Sequence, residues 1–419
     1  MRWLHENGAR FPKVQFPSST PSGRGATALE DIASNEVMIT IPFVLMLSEQ
    51  HALQDPVIGS ILQQQNFLQG DLLLAFYIMY ELAKGISSFY SPYFNIIPIP
   101  STITHWDSDI LPLFQDITLI TFVKFRLSDL RKMYQAIVSL CDEHHDLFPL
   151  ESFTFESFKH AYGMIQNRAF GKRLPWSALV PLADCLNHSN VQTKYDYNIG
   201  ENRLFRLYPS GSNHYSAGQE IFNSYGRREN ANLLLDYGFA ILDNEWETVL
   251  ITVRVHQHEE SYFEKAKLLQ RLHLNVVMRF NLSRFNLPLD LITFYRILAL
   301  SKNELAYVDE EYASINIRGL FSNESEIRAI TLLIDSLTRL WRQYPSSLED
   351  DETKLQNSES SSDFGLETQI SIEQWQAILA YRVTQKRIIS RTITKLKNIR
   401  GILSEILSEV SRNQLLAFF

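Results

Sequence analysis

Polar side chains that could do chemistry lie beside a strongly apolar run in the middle of the chain. The run Ala178–Ala183 is followed by Asp184, Asn187 and His188. We expect this run to be buried, and an unpaired polar group next to it would cost about 1–3 kcal/mol. A turn held by its own hydrogen bonds would satisfy these side chains, and so would a binding site. The segment by itself leaves both interpretations open.

Two tyrosine–glycine pairs form a second feature. Tyr225-Gly226 and Tyr237-Gly238 lie 12 residues apart. A glycine beside a tyrosine permits an unusual backbone angle or a close approach next to the phenol. Each pair could also be a core tyrosine beside a turn, which is the commoner case.

Other segments with suggestive composition predict less. Gly23-Arg-Gly25 fits a loose dinucleotide-binding pattern, but Pro21 and Ser22 precede it where a strand is required, so a glycine turn between strands is favoured. The residues of Cys141–Asp146 are consecutive and would point in different directions on a helix. We therefore interpret that segment as a polar helix end and predict no metal site.

The first half of the chain mixes strand and helix signals. Short strands are predicted in Val37–Pro42 and Val44–Leu47, and a buried helix in Leu72–Lys84, with helical patterns to about Tyr162. Tyr195–Ile199 and Arg203–Tyr208 are typical of a strand pair.

After Leu242 the chain is mostly helical in pattern. Apolar residues recur every three or four positions in the last element, which favours packing against neighbouring helices over a coiled coil, because Gly401 interrupts the stripe. The acidic, serine-rich stretch Pro345–Glu367 predicts a mobile loop.

Composition excludes several classes of protein. The net charge of −8 argues against a general nucleic-acid binder, and 2 cysteines are too few for a disulfide framework or a thiolate zinc cluster. The apolar run Leu72–Tyr80 is far shorter than the roughly 18 residues of a membrane span. We expect a monomer in the cytoplasm or nucleus, with no membrane partner and no direct nucleic-acid partner.

Taken together, the two polar segments resemble the signature motifs of SET-domain protein methyltransferases, in particular the class typified by the Rubisco large-subunit lysine methyltransferase. Ser22–Gly25 resembles the N-terminal glycine turn of the family, and Tyr93–Pro98 with Trp106 resembles its helical insertion. Asn167–Phe170 resembles a Ser-Arg-Ala-Phe element, with Asn where serine is usual.

This resemblance implies an α+β fold in two domains. Residues 1–242 would form the SET-domain β-fold, with a helical insertion at about 62–165. Residues 243–419 would form an all-α C-terminal substrate-binding domain, with a mobile loop at about 345–367.

The resemblance also implies S-adenosyl-L-methionine as cofactor and a role for each matching residue. Asn187 and His188 match the cofactor-binding pair, and Asp184 lies at a position close to the cofactor. Ser22 and Arg24 would contact the cofactor through their backbone, and Arg168, with Asn167, would bind its carboxylate. Tyr225 would bind the cofactor and orient the methyl group and the amine. Tyr237 would form a wall of the substrate channel, with Tyr197 as a third phenol.

The implied activity is lysine N-methylation of a non-histone protein, such as a ribosomal or other translation-related protein. A lysine attacks only as the neutral amine, and its ordinary pKa is about 10.4, so an apolar aromatic channel would promote loss of the proton. The motifs do not separate lysine from histidine acceptors, so a histidine methyltransferase is one alternative. A catalytically silent SET-scaffold binding module is the other.

Overall fold

The chain forms two compact units in a computed structural model. The structure describes residues 1–171, 173–198, 200, 203–306, 308, 322–357 and 370–416, with the backbone alone for 408–416. Unit 1 comprises Met1–Ser108, Thr118–Arg228 and Asn232–Gly238. Unit 2 comprises Asp109–Ile117, Glu229–Ala231 and Phe239–Phe419. The main division thus falls four residues before the predicted boundary at 242.

Unit 1 contains three small sheets. Its strands are β1 (Val14–Thr20), β2 (Gly23–Ala28), β3 (Ile39–Pro42), β4 (Leu47–Ser48), β5 (Ala178–Leu179), β6 (Asn187–His188), β7 (Thr193–Asn198), β8 (Leu204–Pro209) and β9 (Glu220–Asn223). They pair in the orders β1-β2-β9-β6, β3-β8-β7 and β4-β5. All these pairs are antiparallel except β6 with β9, which is parallel.

The strand predictions for this unit are correct in part. The pair β7–β8 and the strand β3 lie where the sequence predicts them. The predicted strand Val44–Leu47 is wrong, because Phe43–Leu45 form a 3₁₀ turn and pairing resumes only at Leu47. The backbone leaves β3 at Pro42, which has no N–H to continue a ladder.

The helices of unit 1 lie mainly between β4 and β5. They are α1 (Arg2–Glu6), α2 (Glu49–Gln54), α3 (Gly59–Gln63), α4 (Gly70–Ala83), α5 (Ser91–Phe94), α6 (Ile117–Glu143, from Thr118 on), α7 (Phe155–Arg168) and α8 (Asn230–Asp236, from Asn232 on). The buried helix predicted at Leu72–Lys84 is confirmed by α4, whose residues Leu73–Glu81 are buried on every side. The helical insertion itself therefore has its own apolar core.

Unit 2 is helical with a two-stranded sheet. Its further elements are β10 (Thr248–Arg254), α9 (Tyr262–Arg271), β11 (Val277–Ser283), α10 (Leu289–Ala299), α11 (Lys302–Ala306), α12 (Asn323–Trp341), α13 (Leu348–Asn357) and α14 (Ile372–Leu416). The α+β class is confirmed, but the all-α description of this region is wrong, since β10 and β11 pair along their length. The alternation of Val249, Ile251 and Val253 facing the core is the period of two that identifies β10.

The long last helix packs as predicted. Its residues Ile389 and Leu396 are buried in one core with α12, which runs along it. Gly401 lies within the helix and does not interrupt it. A glycine in a helix interior costs only about 1 kcal/mol, which packing over many turns offsets.

The acidic segment of unit 2 is more ordered than predicted. Residues 348–357 of the predicted mobile loop form α13, and residues 358–367 lie outside the described residues. The fully buried carboxylate of Asp351 contacts the guanidinium of Arg382 and lies 2.6 Å from Nζ of Lys386. This ion cluster fastens α13 to α14, because charges removed from water must be paired.

A second buried acid lies at the start of β10. Oε2 of Glu247 accepts the backbone N–H of Asn230 at 2.7 Å, and the amide of Gln385 donates to its other oxygen. Burial raises the pKa of Glu247 to about 8.

Among the helices that the structure describes, none is long and apolar enough to cross a membrane.

Candidate active site

A cavity of about 170 Å³ in unit 1 brings together residues from separate parts of the chain. Its walls come from the end of α7, the loop before β6, the loop after β9 and the residue after α8. Among the predicted site residues, those that line it are Asn167, Arg168, Asp184, Tyr225 and Tyr237.

Three stacked rings form one side of this site. The rings of Tyr225 and Tyr237 stack at 4.5 Å, and His188 stacks on the other face of Tyr225 at 4.9 Å. Nδ1 of His188 lies 3.1 Å from the backbone nitrogen of Tyr225 and 3.3 Å from the backbone oxygen of Asn223, which fixes the position of the ring. Burial lowers the pKa of His188 and raises the pKa of both phenols, so all three rings are uncharged near pH 7.

The Tyr225 hydroxyl has a defined orientation. It donates to the backbone carbonyl of Leu186 at 2.8 Å. With its proton donated to Leu186, the Tyr225 oxygen can act towards a group in the cavity only as a hydrogen-bond acceptor. That arrangement suits an incoming N–H or a polarised methyl C–H.

Gly238 is required beside Tyr237. Its φ is +83°, and a Cβ there would come within 2.1 Å of the backbone oxygen of Ser101. This close approach confirms the expectation for the Tyr237-Gly238 pair. Gly226 also has a positive φ, of 101°.

Asp184 and Arg168 also line the cavity. The Asp184 carboxylate accepts from the Tyr93 hydroxyl, and burial raises the pKa of Asp184 to about 6. Nη1 of Arg168 donates to the backbone oxygen of Asp184 at 2.9 Å. Within the described part of the chain, Nε of Arg168 and Oδ1 of Asn167 are buried without a hydrogen-bond partner.

Three further predicted cofactor residues, Ser22, Arg24 and Asn187, lie around Glu220 rather than on the cavity wall. Glu220 accepts from Oγ of Ser22 at 3.0 Å and from Nδ2 of Asn187 at 2.8 Å. Nδ2 of Asn187 also lies 3.4 Å from the backbone oxygen of Arg24. A Cβ at Gly25 would come within 2.8 Å of both Asn187 and Glu220. These contacts join the β1–β2 turn to β6 and β9.

The third phenol was assigned to the wrong tyrosine. Tyr195 lines the cavity and packs edge-on against Phe170, whereas Tyr197 packs on Phe43 and Trp176. Both tyrosines lie on one face of β7, and a shift of two residues along a strand is about 6.6 Å, enough to leave the site.

Sequence reasoning also missed several cavity residues. These are Phe170, Tyr195, Asn223, Ser224 and Arg228. Phe170 and Arg228 are close in sequence to assigned residues, being two after Arg168 and three after Tyr225. Among the described residues, no group of three or more histidine, cysteine or acidic side chains could hold a metal ion, and Cys141–Glu143 end α6 as expected.

With this geometry in place, comparison with solved structures defines the fold. The SET domain of LSMT bound to methyllysine and AdoHcy matches with a TM-score of 0.69 at 20% identity, covering 96% of this chain and 92% of that one. Rubisco LSMT bound to AdoMet matches with a TM-score of 0.68 at 20% identity, with the same coverage. The chain therefore has the fold of the LSMT SET domain, as the sequence motifs predicted.

Sequence comparison adds a family model that matches the C-terminal region and one set of curated relatives. Residues 256–389 match the family model described as Rubisco LSMT substrate-binding. Actin-histidine N-methyltransferases of Homo sapiens and Papio anubis are 26% identical over 382 residues. The alignment covers 86% of this chain and 63% of each relative. The resemblance to the Rubisco LSMT-like class is thus confirmed.

Proposed function

We propose that this chain is an S-adenosylmethionine-dependent protein N-methyltransferase. The observation that carries the proposal is the cavity, whose lining residues include two with unpaired buried polar atoms, Asn167 and Arg168, and a pair of stacked phenols. Solved structures of the same fold contain AdoMet or AdoHcy, which supports the choice of cofactor.

The polar atoms fit the methionine end of that cofactor. Oδ1 of Asn167 is an acceptor and suits an α-ammonium group. Nε of Arg168 is a donor and suits an α-carboxylate. When bound, S-adenosylmethionine supplies a methyl group activated by its sulfonium charge. The proposed residues for the adenosine end are Asn187, which contacts Glu220, and His188, which stacks on Tyr225.

The protein's own residues would orient the acceptor and keep it neutral. Tyr225 accepts from the incoming nitrogen because its own proton is held by Leu186. The rings of Phe170, Tyr195 and Tyr237 exclude water and disfavour a charged ammonium. Alignment of acceptor and methyl group then supplies much of the acceleration, since it removes the entropy cost of a bimolecular encounter.

We favour lysine as the acceptor on the chemistry of the cavity. Four aromatic side chains surround space that suits an alkyl chain with a nitrogen at its end. A histidine acceptor would need a polar group to orient its second ring nitrogen. Asp184 is already bonded to Tyr93, and the Asn223 amide oxygen already accepts from Thr193 at 2.8 Å.

Histidine methylation is the second candidate. The curated relatives with 26% identity are named actin-histidine N-methyltransferases, which favours an imidazole acceptor. A ribosomal or other translation-related substrate stays a prediction, as do a monomeric state and a cytoplasmic or nuclear location.

The test transfers tritiated methyl from S-adenosylmethionine to extract of cells that lack this protein. Wild type is compared with Arg168→Gln, and with Arg206→Gln as control, since Arg206 is an exposed arginine of unit 1 outside the cavity. We expect a labelled band with wild type and the control but not with Arg168→Gln. Mass spectrometry of the band identifies the target and tells lysine from histidine. Failure of wild type to bind S-adenosylmethionine in calorimetry would refute the proposal.

A further inference from the structure

An aspartate lies at an unfavourable end of the helix that precedes the second active-site tyrosine. Asp236 is the last residue of α8 and is followed directly by Tyr237. A negative charge at a helix C-terminus is unfavourable, because the free carbonyls there already carry partial negative charge. Two cations compensate for this: Nη1 of Arg126 and Nη1 of Arg228 each lie 3.3 Å from a carboxylate oxygen of Asp236.

Arg228 connects this carboxylate to the backbone of Tyr225 and to the phenol of Tyr237. Its Nε donates to the backbone oxygen of Tyr225 at 3.3 Å, and its side chain hydrogen-bonds the Tyr237 phenol. Arg228 also lines the cavity. One guanidinium therefore contacts Asp236, Tyr225 and Tyr237 at the place where an acceptor nitrogen would enter.

The charges of the three residues sum to +1. A positive charge near a bound ammonium disfavours it and so favours the neutral nucleophile, whether that is an amine or an imidazole. Arg228 lines the cavity, as Arg168 does, whereas Arg126 acts from α6 through Asp236.

We propose that Arg228 is a further residue of the acceptor site: it positions Tyr225 and Tyr237, and its charge favours the neutral acceptor. Asp236 and Arg126 are positioning residues that act through Arg228. This inference rests on the proposed methyltransferase function. It makes the pH dependence of turnover a property of the Arg126–Asp236–Arg228 triad.

Other charged or titratable groups face this region and stay unchanged in the test. They are His188 on β6, Arg168 and Tyr162 on α7, Asp184 in the loop before β6, and Asp71 on α4, which faces Tyr162. Because every variant keeps these groups, a difference between two pH profiles measures the effect of Arg126, Asp236 and Arg228.

The experiment measures the initial rate of methyl transfer to the labelled band of the extract between pH 6 and 10, at saturating S-adenosylmethionine. Arg228→Gln should move the rising limb of the profile up by about 1 pH unit, because a cation is lost. Arg126→Gln should move it up by less. Asp236→Asn should move it down, because the cations are no longer compensated.

The double variant Arg228→Gln/Asp236→Asn separates charge from position. It restores the wild-type net charge, so the rising limb of its pH profile should return towards the wild-type pH. Its maximal rate should stay at least tenfold below that of wild type, because Tyr225 and Tyr237 lose their hydrogen bonds to Arg228. Calorimetry should give the same affinity for S-adenosylmethionine in all variants.

If wild type is active and the rising limbs of the pH profiles coincide in wild type, the three single variants and the double variant, this inference is overturned and the proposed function stays intact. Absence of any wild-type label in extract would instead refute the proposed function, and this inference with it. Limbs that move in the same direction for Arg228→Gln and Asp236→Asn would show a structural effect and would also overturn it.

Discussion

Replacing Tyr225 with phenylalanine tests the acceptor site most directly. The change removes one oxygen and keeps the ring, so the stack on Tyr237 and His188 is preserved. The variant loses the hydrogen bond to Leu186, which is 2.8 Å long, and the phenolic oxygen as an acceptor.

The two losses have different sizes. A neutral hydrogen bond contributes about 0.5–1.5 kcal/mol net, so we expect unfolding to be easier by about 1 kcal/mol. Removing a hydrogen-bonding group that acts on the reacting atoms lowers turnover by about 10²–10³-fold. A hundredfold fall in kcat is about 2.7 kcal/mol of activation free energy, well above the stability change.

The assay compares kcat from tritium transfer with the Kd of S-adenosylmethionine from calorimetry. We expect kcat to fall at least a hundredfold while Kd changes by less than about twofold, because the hydroxyl acts on the transition state. Tyr197→Phe is the matched control, since the Tyr197 phenol lies outside the cavity and accepts from Arg203 at 3.2 Å. Equal losses in turnover and affinity, or a control as impaired as the variant, would refute the reasoning.

Three further predictions concern the framework. Asp351→Asn should lower the free energy of unfolding by about 3–5 kcal/mol, because two buried cations lose their carboxylate. Asp350→Asn, on the exposed side of the same helix, should change the free energy of unfolding little. Urea titration of both variants measures the difference. Gly238→Ala should lower both stability and methyl transfer more than Gly218→Ala, because the two share a positive φ but only Gly238 would meet backbone within 4 Å; equal thermal shifts would contradict this. The pKa of Glu247 is about 8 in the folded state against an ordinary 4.5, so the folded state binds a proton that the unfolded state releases, and the free energy of unfolding should fall as pH rises from 5 to 8. Glu247→Gln should flatten this dependence on pH, and an unchanged slope would contradict the prediction.

Local patterns predicted the elements that rest on nearby residues. The helix α4 follows from an uninterrupted apolar run, and β7 and β8 from alternation on either side of a turn. Local patterns failed where a residue's partner is remote. The acidic composition of 348–357 suggested mobility, yet Asp351 is buried against cations 31 and 35 residues away.

The site divides in the same way. The motif around Asn187 and the two Tyr-Gly pairs identified residues of the cavity wall and of the stacked rings, because their types are unusual beside apolar runs. Spacing alone could not choose between Tyr195 and Tyr197, since both lie on one face of β7. Only the packing of Phe170 against Tyr195 decides which phenol enters the cavity.

The sequence by itself determined the class of fold and five of the residues that line the candidate site. It could do so because turn chemistry, apolar periodicity and signature motifs are local properties of the chain. The tertiary structure decided how those residues act together. The parallel pairing of β6 with β9 brings His188 against Tyr225, and the ion pair of Arg126 with Asp236 spans 110 positions of sequence. Such contacts depend on how the chain closes its long loops, and their energy comes from burial that no single segment contains.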